Sequence, residues 1–493
     1  MPKSIIIIGA GMGGMAAGIY GQMNGFETRI FEMHNRPGGQ CASWQRKGYT
    51  FDACIHHLMG CSPEMRINQI WSELGVMPRE LAYTKECVSV VSSDRKVFFD
   101  YYDTDRLAEH LQELAPQDKQ VILDYIEGIK LFAKYDIMGE LMVGGIPGIL
   151  KQLPAIPKIT KWFKPTMADF AKRFSDPFLQ KAFPLLEYSM PFLPFAIHLS
   201  KHACGLKRDI AWPIGASSGF ADSMAKRYED LGGEMHCRRK ISKIIVKDGK
   251  AIGVKLGDGS EEYADIVISN ADGRNTLLDM LEGRYMNARL KEYCSEPEDE
   301  SNWAVHVFLG VNHDLSQEPS SIIMLLDHPV TIAGHKTDSL DMQLYGFDKT
   351  MAPEGKGVIK VELVSKYSYW KELSTDRIAY EEEKQKVAEQ VIVLIEKYFH
   401  GIRSQIEAID VPTILTWERF MGGTHGFCNG PNKKPDFIGN LIKNNDMIIP
   451  GLENFYFVGI WATSMGALFA NALSGKKAIK RVCRKEGVKF TTI

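Results

Sequence analysis

The chain has no run approaching 18 uninterrupted apolar residues, so no membrane-spanning helix is expected. It has almost no excess of charge. Its 59 Lys and Arg against 61 Asp and Glu leave a formal net charge of −2, which argues against nucleic acid as the main partner. Its nine cysteines include no CxxC pair and are odd in number and scattered. That fits a reduced, cytoplasmic protein better than a disulfide framework or a zinc site. No His/Cys/Asp/Glu cluster has metal-ligand spacing, and Cys54-Ile55-His56-His57 alone is a poor zinc motif, so no metal is expected. Neither a GxSxG elbow nor a paired-carboxylate signal for hydrolysis is expected. A secretory leader is not expected either, because the N-terminal apolar run is four isoleucines long before glycine interrupts it.

What remains is a globular composition, 45% apolar and 24% charged, on a 493-residue chain. That length is too great for one hydrophobic core and predicts two or three lobes. Ile5-Ile6-Ile7-Ile8 runs straight into Gly9-Ala10-Gly11-Met12-Gly13-Gly14. The apolar run reads as a buried parallel strand, and the glycines as its turn into a helix. Gly9 permits the tight turn, Gly11 the approach of a pyrophosphate, and Gly14 close contact between helix and strand. The helix N-terminus offers unpaired N–H groups to the negative charge. A second strand, Thr28 to Phe31, ends at Glu32, 18 residues past Gly14. Such units accept hydrogen bonds from an adenosine ribose there. Strand, turn, helix, strand and acid agree on a dinucleotide site. No second GxGxxG follows a strand, so a built-in NAD(P)H site is not expected.

More pieces of the same kind lie far apart. Arg36-Pro37-Gly38-Gly39-Gln40 follows the first unit, and alone it would read as an ordinary loop. Mid-chain, Gly215 and Gly219 precede a helix bearing Phe220, Met224 and Tyr228. Strands follow, with turn signals at Asp248-Gly249 and Asp258-Gly259, and the last strand ends at Asn270-Ala271-Asp272. Near the C-terminus, Asn454 to Val458 runs into Gly459. Gly466-Ala467-Leu468 and a helix to about Arg484 come next.

In this order the motifs resemble the FAD-dependent phytoene desaturase, carotenoid isomerase and retinol saturase group. That group belongs to the wider glutathione-reductase-like flavoproteins, which include amine oxidases. The resemblance implies an α/β fold with a discontinuous FAD-binding Rossmann domain, a mixed-sheet substrate domain and a helical lobe. It implies FAD, with Gly9, Gly11, Met12 and Gly13 along the pyrophosphate and Glu32 and Met33 at the ribose end. Gly38, Gly39 and Gln40 would complete the phosphate loop, with Ile55 and His56 among the cofactor contacts. Ile241 would flank adenine and Asn270 would close that pocket, while Gly459, Gly466, Ala467 and Leu468 would lie along the ribityl and isoalloxazine. Three departures stand out. Gln40 occupies a position where relatives often have a basic residue, and Cys54 replaces the glycine of an FDxG motif. Trp461, Met465 and Ala467 stand where relatives often have a smaller residue or glycine.

The expected division is 1–80, 206–285 and 436–493 for the FAD domain, 81–102 and 286–435 for the substrate domain, and 103–205 for the lobe. Within the lobe, residues 141–201 hold eight of the 22 prolines and eight Lys/Arg against three acids, a local charge of +5. Short apolar helices flanked by lysines read either as a peripheral membrane contact at the cytoplasmic surface or as a cover with a solvated basic face. Val305–Leu309, Ser321–Leu326 and Gly357–Val364 read as strands, and Ile378–Phe399 as an amphipathic helix. His56, His57 and His425 are the catalytic candidates, because an imidazole beside a flavin can exchange a proton near neutral pH. The resemblance implies an oxidoreductase that desaturates, saturates or isomerises carbon–carbon bonds of a long apolar substrate, whether carotenoid, retinoid or other polyene lipid. An external electron donor or acceptor would complete the reaction. The alternatives are an amine oxidase and a non-enzymatic prenyl-lipid escort of the Rab GDP-dissociation-inhibitor type.

Overall fold

A computed structural model of the chain describes residues 2–295, 299–426, 448–463 and 466–492. The expected 435/436 boundary and Met465 lie outside the described residues. Five parallel strands form the first sheet, in the order Glu234–His236, Glu27–Phe31, Ser4–Ile8, Ile266–Ser269, Phe455–Phe457. The isoleucines of the first strand alternate between two cores. Ile5 and Ile7 pack with the helices Met12–Met23 and Leu468–Glu486, while Ile6 and Ile8 pack beneath a three-stranded antiparallel layer of Ile241–Lys247, Lys250–Leu256 and Glu261–Tyr263. Burial on both faces explains the unbroken apolar run. Each such side chain contributes roughly 1.5–3 kcal/mol.

Register decides where the site lies. Ile8 pairs with Phe31 and with Ser269, and Ser269 pairs with Phe457, so these strands end together. Gly9, Glu32, Asn270 and Gly459 therefore emerge along one edge of the sheet, at the carboxyl ends where open α/β sheets bind ligands.

The second sheet has seven strands, in the order Ile406–Asp410, Glu300–Val311, Gly357–Lys366, His335–Leu344, Ser321–Ile332, Glu86–Val91, Val97–Tyr101. One face, with Val305, Val307, Leu309, Val361 and Leu363, packs in a core with Val387, Val391 and Ile395 of the helix Arg377–Ile395. The expected strands extend further than their apolar cores, and His335–Leu344 and Ile406–Asp410 add to them. Leu81–Ala82 does not join this sheet but pairs with Ile210–Pro213. Residues 104–206 form the helical lobe, whose aromatic core includes Phe170 stacked on Phe195 at 3.8 Å. No helix among the described residues is long and apolar enough to cross a membrane.

Candidate functional site

A cavity of about 1030 Å³ opens at the shared strand edge. The helix Met12–Met23 points its N-terminus into it with no side-chain cap on Gly11 and no acidic residue in its first turn. Its leading N–H groups are thus free to meet an anion. Asn270 is the hub. An added Cβ on Gly11 would meet its Nδ2 at 2.6 Å, and one on Gly13 would meet its Oδ1 at 2.6 Å and the Gly459 amide nitrogen at 2.7 Å. A Cβ on Gly459 would strike the same Oδ1. The Asn270 side chain is thus packed tightly against both the Gly11–Gly13 turn and Gly459, two segments far apart in the chain. Gly38 joins them, donating its N–H to Ala10 O at 2.9 Å.

Glu32 is buried at the cavity wall, and its carboxylate accepts from the N–H groups of Ala10 and His34, both at 2.8 Å. Two accepted bonds fix the group and leave further lone pairs for a ligand. Away from Glu32, the wall carries Trp44 and Trp417, with ring centroids 6.1 Å apart, and Trp44 Nε1 donates to Asp410 at 2.8 Å. Cys41 and Cys54 also line it, with their sulfurs 3.7 Å apart.

A second, smaller cavity of about 60 Å³ lies between the seven-stranded sheet and the lobe, and His56 and His57 line it. His56 Nε2 lies 3.0 Å from Glu362, which also meets Lys360 Nζ at 2.7 Å. Burial alone would raise the Glu362 carboxyl, but His56 and Lys360 outweigh it and hold it well below the usual carboxylate range. His306, on the neighbouring strand, is pushed down to about 3 by burial and stays neutral. Burial, aided by Lys201, holds His57 well below the usual imidazole range.

A family profile described as an NAD(P)-binding Rossmann-like domain matches residues 7–74. A phytoene desaturase (lycopene-forming) of Pantoea ananas is 26% identical, over 86% of this chain and 88% of its own length. Prolycopene isomerase 1, chloroplastic, of an Oncidium hybrid cultivar is also 26% identical, over 98% of this chain and 84% of its own. The chain is similar to the phytoene desaturases and prolycopene isomerases. An oxidoreductase from Methanosarcina mazei shares the fold, with a TM-score of 0.63 at 15% identity over 97% of this chain and 100% of its own.

For a relative of the phytoene desaturases and prolycopene isomerases, the expected contacts fall into two groups. Gly9, Gly11, Met12, Gly13, Glu32, Met33, Gly38, Gly39, Gln40, Ile241, Asn270, Gly459, Gly466 and Leu468 line the large cavity. Ile55, His56 and Ala467 do not line it. Ile55 is buried, and its N–H donates to Ser217 Oγ at 2.9 Å. Of the catalytic candidates, His56 and His57 face the small cavity, while His425 stacks on Tyr367 at 3.8 Å. The structure therefore brings two of the three histidines together and leaves the third apart.

Trp44 and Trp417 were not among the expected contacts, because nothing in a lone tryptophan marks it as a cavity wall. The expectation of no GxSxG elbow needs correcting, because Gly215-Ala216-Ser217-Ser218-Gly219 spells that pattern. Its serine is no exposed nucleophile. Ser217 is fully buried, and its hydroxyl donates to Asp52 at 2.7 Å, tying the hairpin Ser43–Asp52 to the helix Ala216–Asp230.

Proposed function

We propose that this chain is an FAD-dependent oxidoreductase acting on carbon–carbon bonds of a polyene lipid, by desaturation, saturation or isomerisation. One observation carries the reading: Gly9, Gly11, Met12 and Gly13, residues 32–40, Asn270, and Gly459, Gly466 and Leu468 together line a single cavity of dinucleotide size. The residues fit FAD because the helix end is uncapped and because a Cβ at Gly11 or Gly13 would fill the cradle. Gly11, Met12 and Gly13 would hold the pyrophosphate, Glu32 the ribose, and Trp44 and Trp417 would wall the redox end. Bound there, the flavin supplies two-electron transfer to and from carbon. The protein's part is to orient the ring and keep water from it. The similarity to phytoene desaturases and prolycopene isomerases supports the substrate class, and an external partner would complete electron flow.

Purified protein should show a flavin spectrum that bleaches with dithionite. Anaerobic incubation with polyenes and with amines then decides the substrate. Flavin reduction by an amine and by no polyene would favour an amine oxidase, and protein that binds no flavin would favour the escort. Glu32→Ala should weaken flavin retention, because the charge-assisted ribose bond contributes roughly 1.5–3 kcal/mol. The dissociation constant should rise roughly 10- to 100-fold on dilution. Unchanged occupancy would remove Glu32 from the ribose.

The lobe carries a further part of this reading. Leu150, Leu153 and Ile156 are exposed by 58, 54 and 38%, beside Lys151 and Lys158. An apolar edge flanked by ammonium groups suits the headgroup layer of an anionic membrane. The protein should float with anionic liposomes, and Leu150→Asp with Leu153→Asp should abolish flotation. Wild-type protein left at the bottom of the gradient would refute the contact.

A further inference from the structure

The seven-stranded sheet turns a charged face inward. Register pairs His306 with Glu362, and Glu362 with Asp341, while two residues along the strands Lys360 pairs with Phe308 and with Gln343. Strand alternation puts these side chains on one face. Beside the Glu362–Lys360 pair, that face opens into the small cavity, which has room for a few waters or one oxygen-bearing group with its first carbons.

Three residues lining this cavity, Asp341, His57 and Tyr188, carry polar side-chain groups that make no hydrogen bond among the described residues. Polar groups drawn away from bulk water are ordinarily satisfied, so three half-buried ones together on one cavity wall call for a polar occupant. Tyr188 is also held at a cost. It and Ser189 carry φ values of 53° and 54°, in the left-handed region that side chains rarely adopt. Adjacent non-glycine residues strained in this way concentrate at functional sites. The Tyr188 ring sits 5.1 Å from that of His56 and 6.4 Å from that of His57, with Lys201 Nζ 4.7 Å from its centroid. Lys201 is positioned from behind by a buried chain. It lies 3.3 Å from Glu187, which meets His198 at 2.9 Å, and His198 meets Tyr125 at 2.6 Å.

Charge around the cavity balances, with Lys201 and Lys360 matched by Glu187 and Glu362. Burial, with Glu362 nearby, raises Asp341 to about 7, so this acid can keep its proton and donate it in a hydrogen bond. A carboxylate would find no uncompensated cation here. A hydrocarbon would leave all three polar groups dry, whereas a neutral oxygen satisfies them.

We propose that this cavity receives the hydroxyl or carbonyl oxygen of the substrate, so that the polyene is an alcohol, aldehyde or ketone and not a hydrocarbon. This rests on the polyene reading above. The test titrates flavin-loaded protein with all-trans-retinol and with the hydrocarbon in which a methyl replaces its terminal CH2OH, following quenching of tryptophan fluorescence. Retinol should bind roughly 10- to 100-fold more tightly. Asp341→Leu and His57→Phe should each bring retinol down toward the hydrocarbon, and Asp341→Asn, which keeps a donor and an acceptor, should restore the preference. Equal binding of the two ligands by the wild type would overturn the proposal while leaving the polyene reading intact. So would an undiminished preference in both variants. Failure of both ligands to bind, or of both to exchange electrons with the flavin, would instead overturn the polyene reading itself.

Discussion

Gly13→Ala should give a folded protein that loses its flavin on dialysis. The new methyl would stand 2.6 Å from Asn270 Oδ1, 2.7 Å from the Gly459 nitrogen and 2.9 Å from the Gly459 Cα. The asparagine can rotate away; the backbone of Gly459 cannot yield without opening the cavity wall. Overpacking of this kind costs about 1–3 kcal/mol, which corresponds to roughly 10- to 100-fold in the flavin dissociation constant. Gly11→Ala provides the contrast, because its methyl would meet only the Asn270 side chain, with the nearest atom at 2.6 Å. Adding Asn270→Ala should therefore relieve Gly11→Ala and fail to relieve Gly13→Ala. The flavin-to-protein absorbance ratio after dialysis reads the outcome. Equal relief of both variants would show that Gly459 does not form the wall.

Glu362→Ala should be the most destabilising single substitution in the substrate domain. Lys360 is fully buried and lies 2.7 Å from this carboxylate, and His56 lies 3.0 Å away. Removing one partner of a buried pair leaves the other charge uncompensated, at a cost of about 3–5 kcal/mol. Combining Lys360→Met with Glu362→Leu should recover most of that loss, since apolar replacement of a whole buried pair is often neutral. The pH dependence gives a second check. Glu362 is held well below its ordinary value of 4.5 in the fold. Its contribution is therefore complete above pH 4.5 and is lost as pH falls from there through its folded value. Urea titrations of wild type and variant should converge below pH 4.5. A gap that stays constant down to acid pH would place the stabilisation elsewhere.

The dinucleotide turn was legible because its signals are local. Ile5–Ile8, the glycines after them and Glu32 lie within one βαβ unit, so spacing alone relates them. The charged sheet face was not legible in the same way. Lys360 and Glu362 alternate with apolar neighbours and so share a face, but their partners are His56, His306 and Asp341, and only folded register brings these together. The strand His335–Leu344 was missed because Lys336, Asp338 and Asp341 interrupt its apolar pattern. Those same charges are what the sheet places beside the lobe and toward solvent. His425 adds a neighbour that no spacing could show: the candidate histidine of the glycine-rich segment stacks on Tyr367, which lies 58 residues earlier in the chain.

The central sheet takes its outer strand from Phe455–Phe457, after four strands drawn from residues 4–8, 27–31, 234–236 and 266–269. During synthesis, the amino-terminal half must therefore wait, with one sheet edge bare, until residues 455–457 have left the ribosome. The cradle is assembled late, and a dinucleotide could be gripped only after that distant segment has docked.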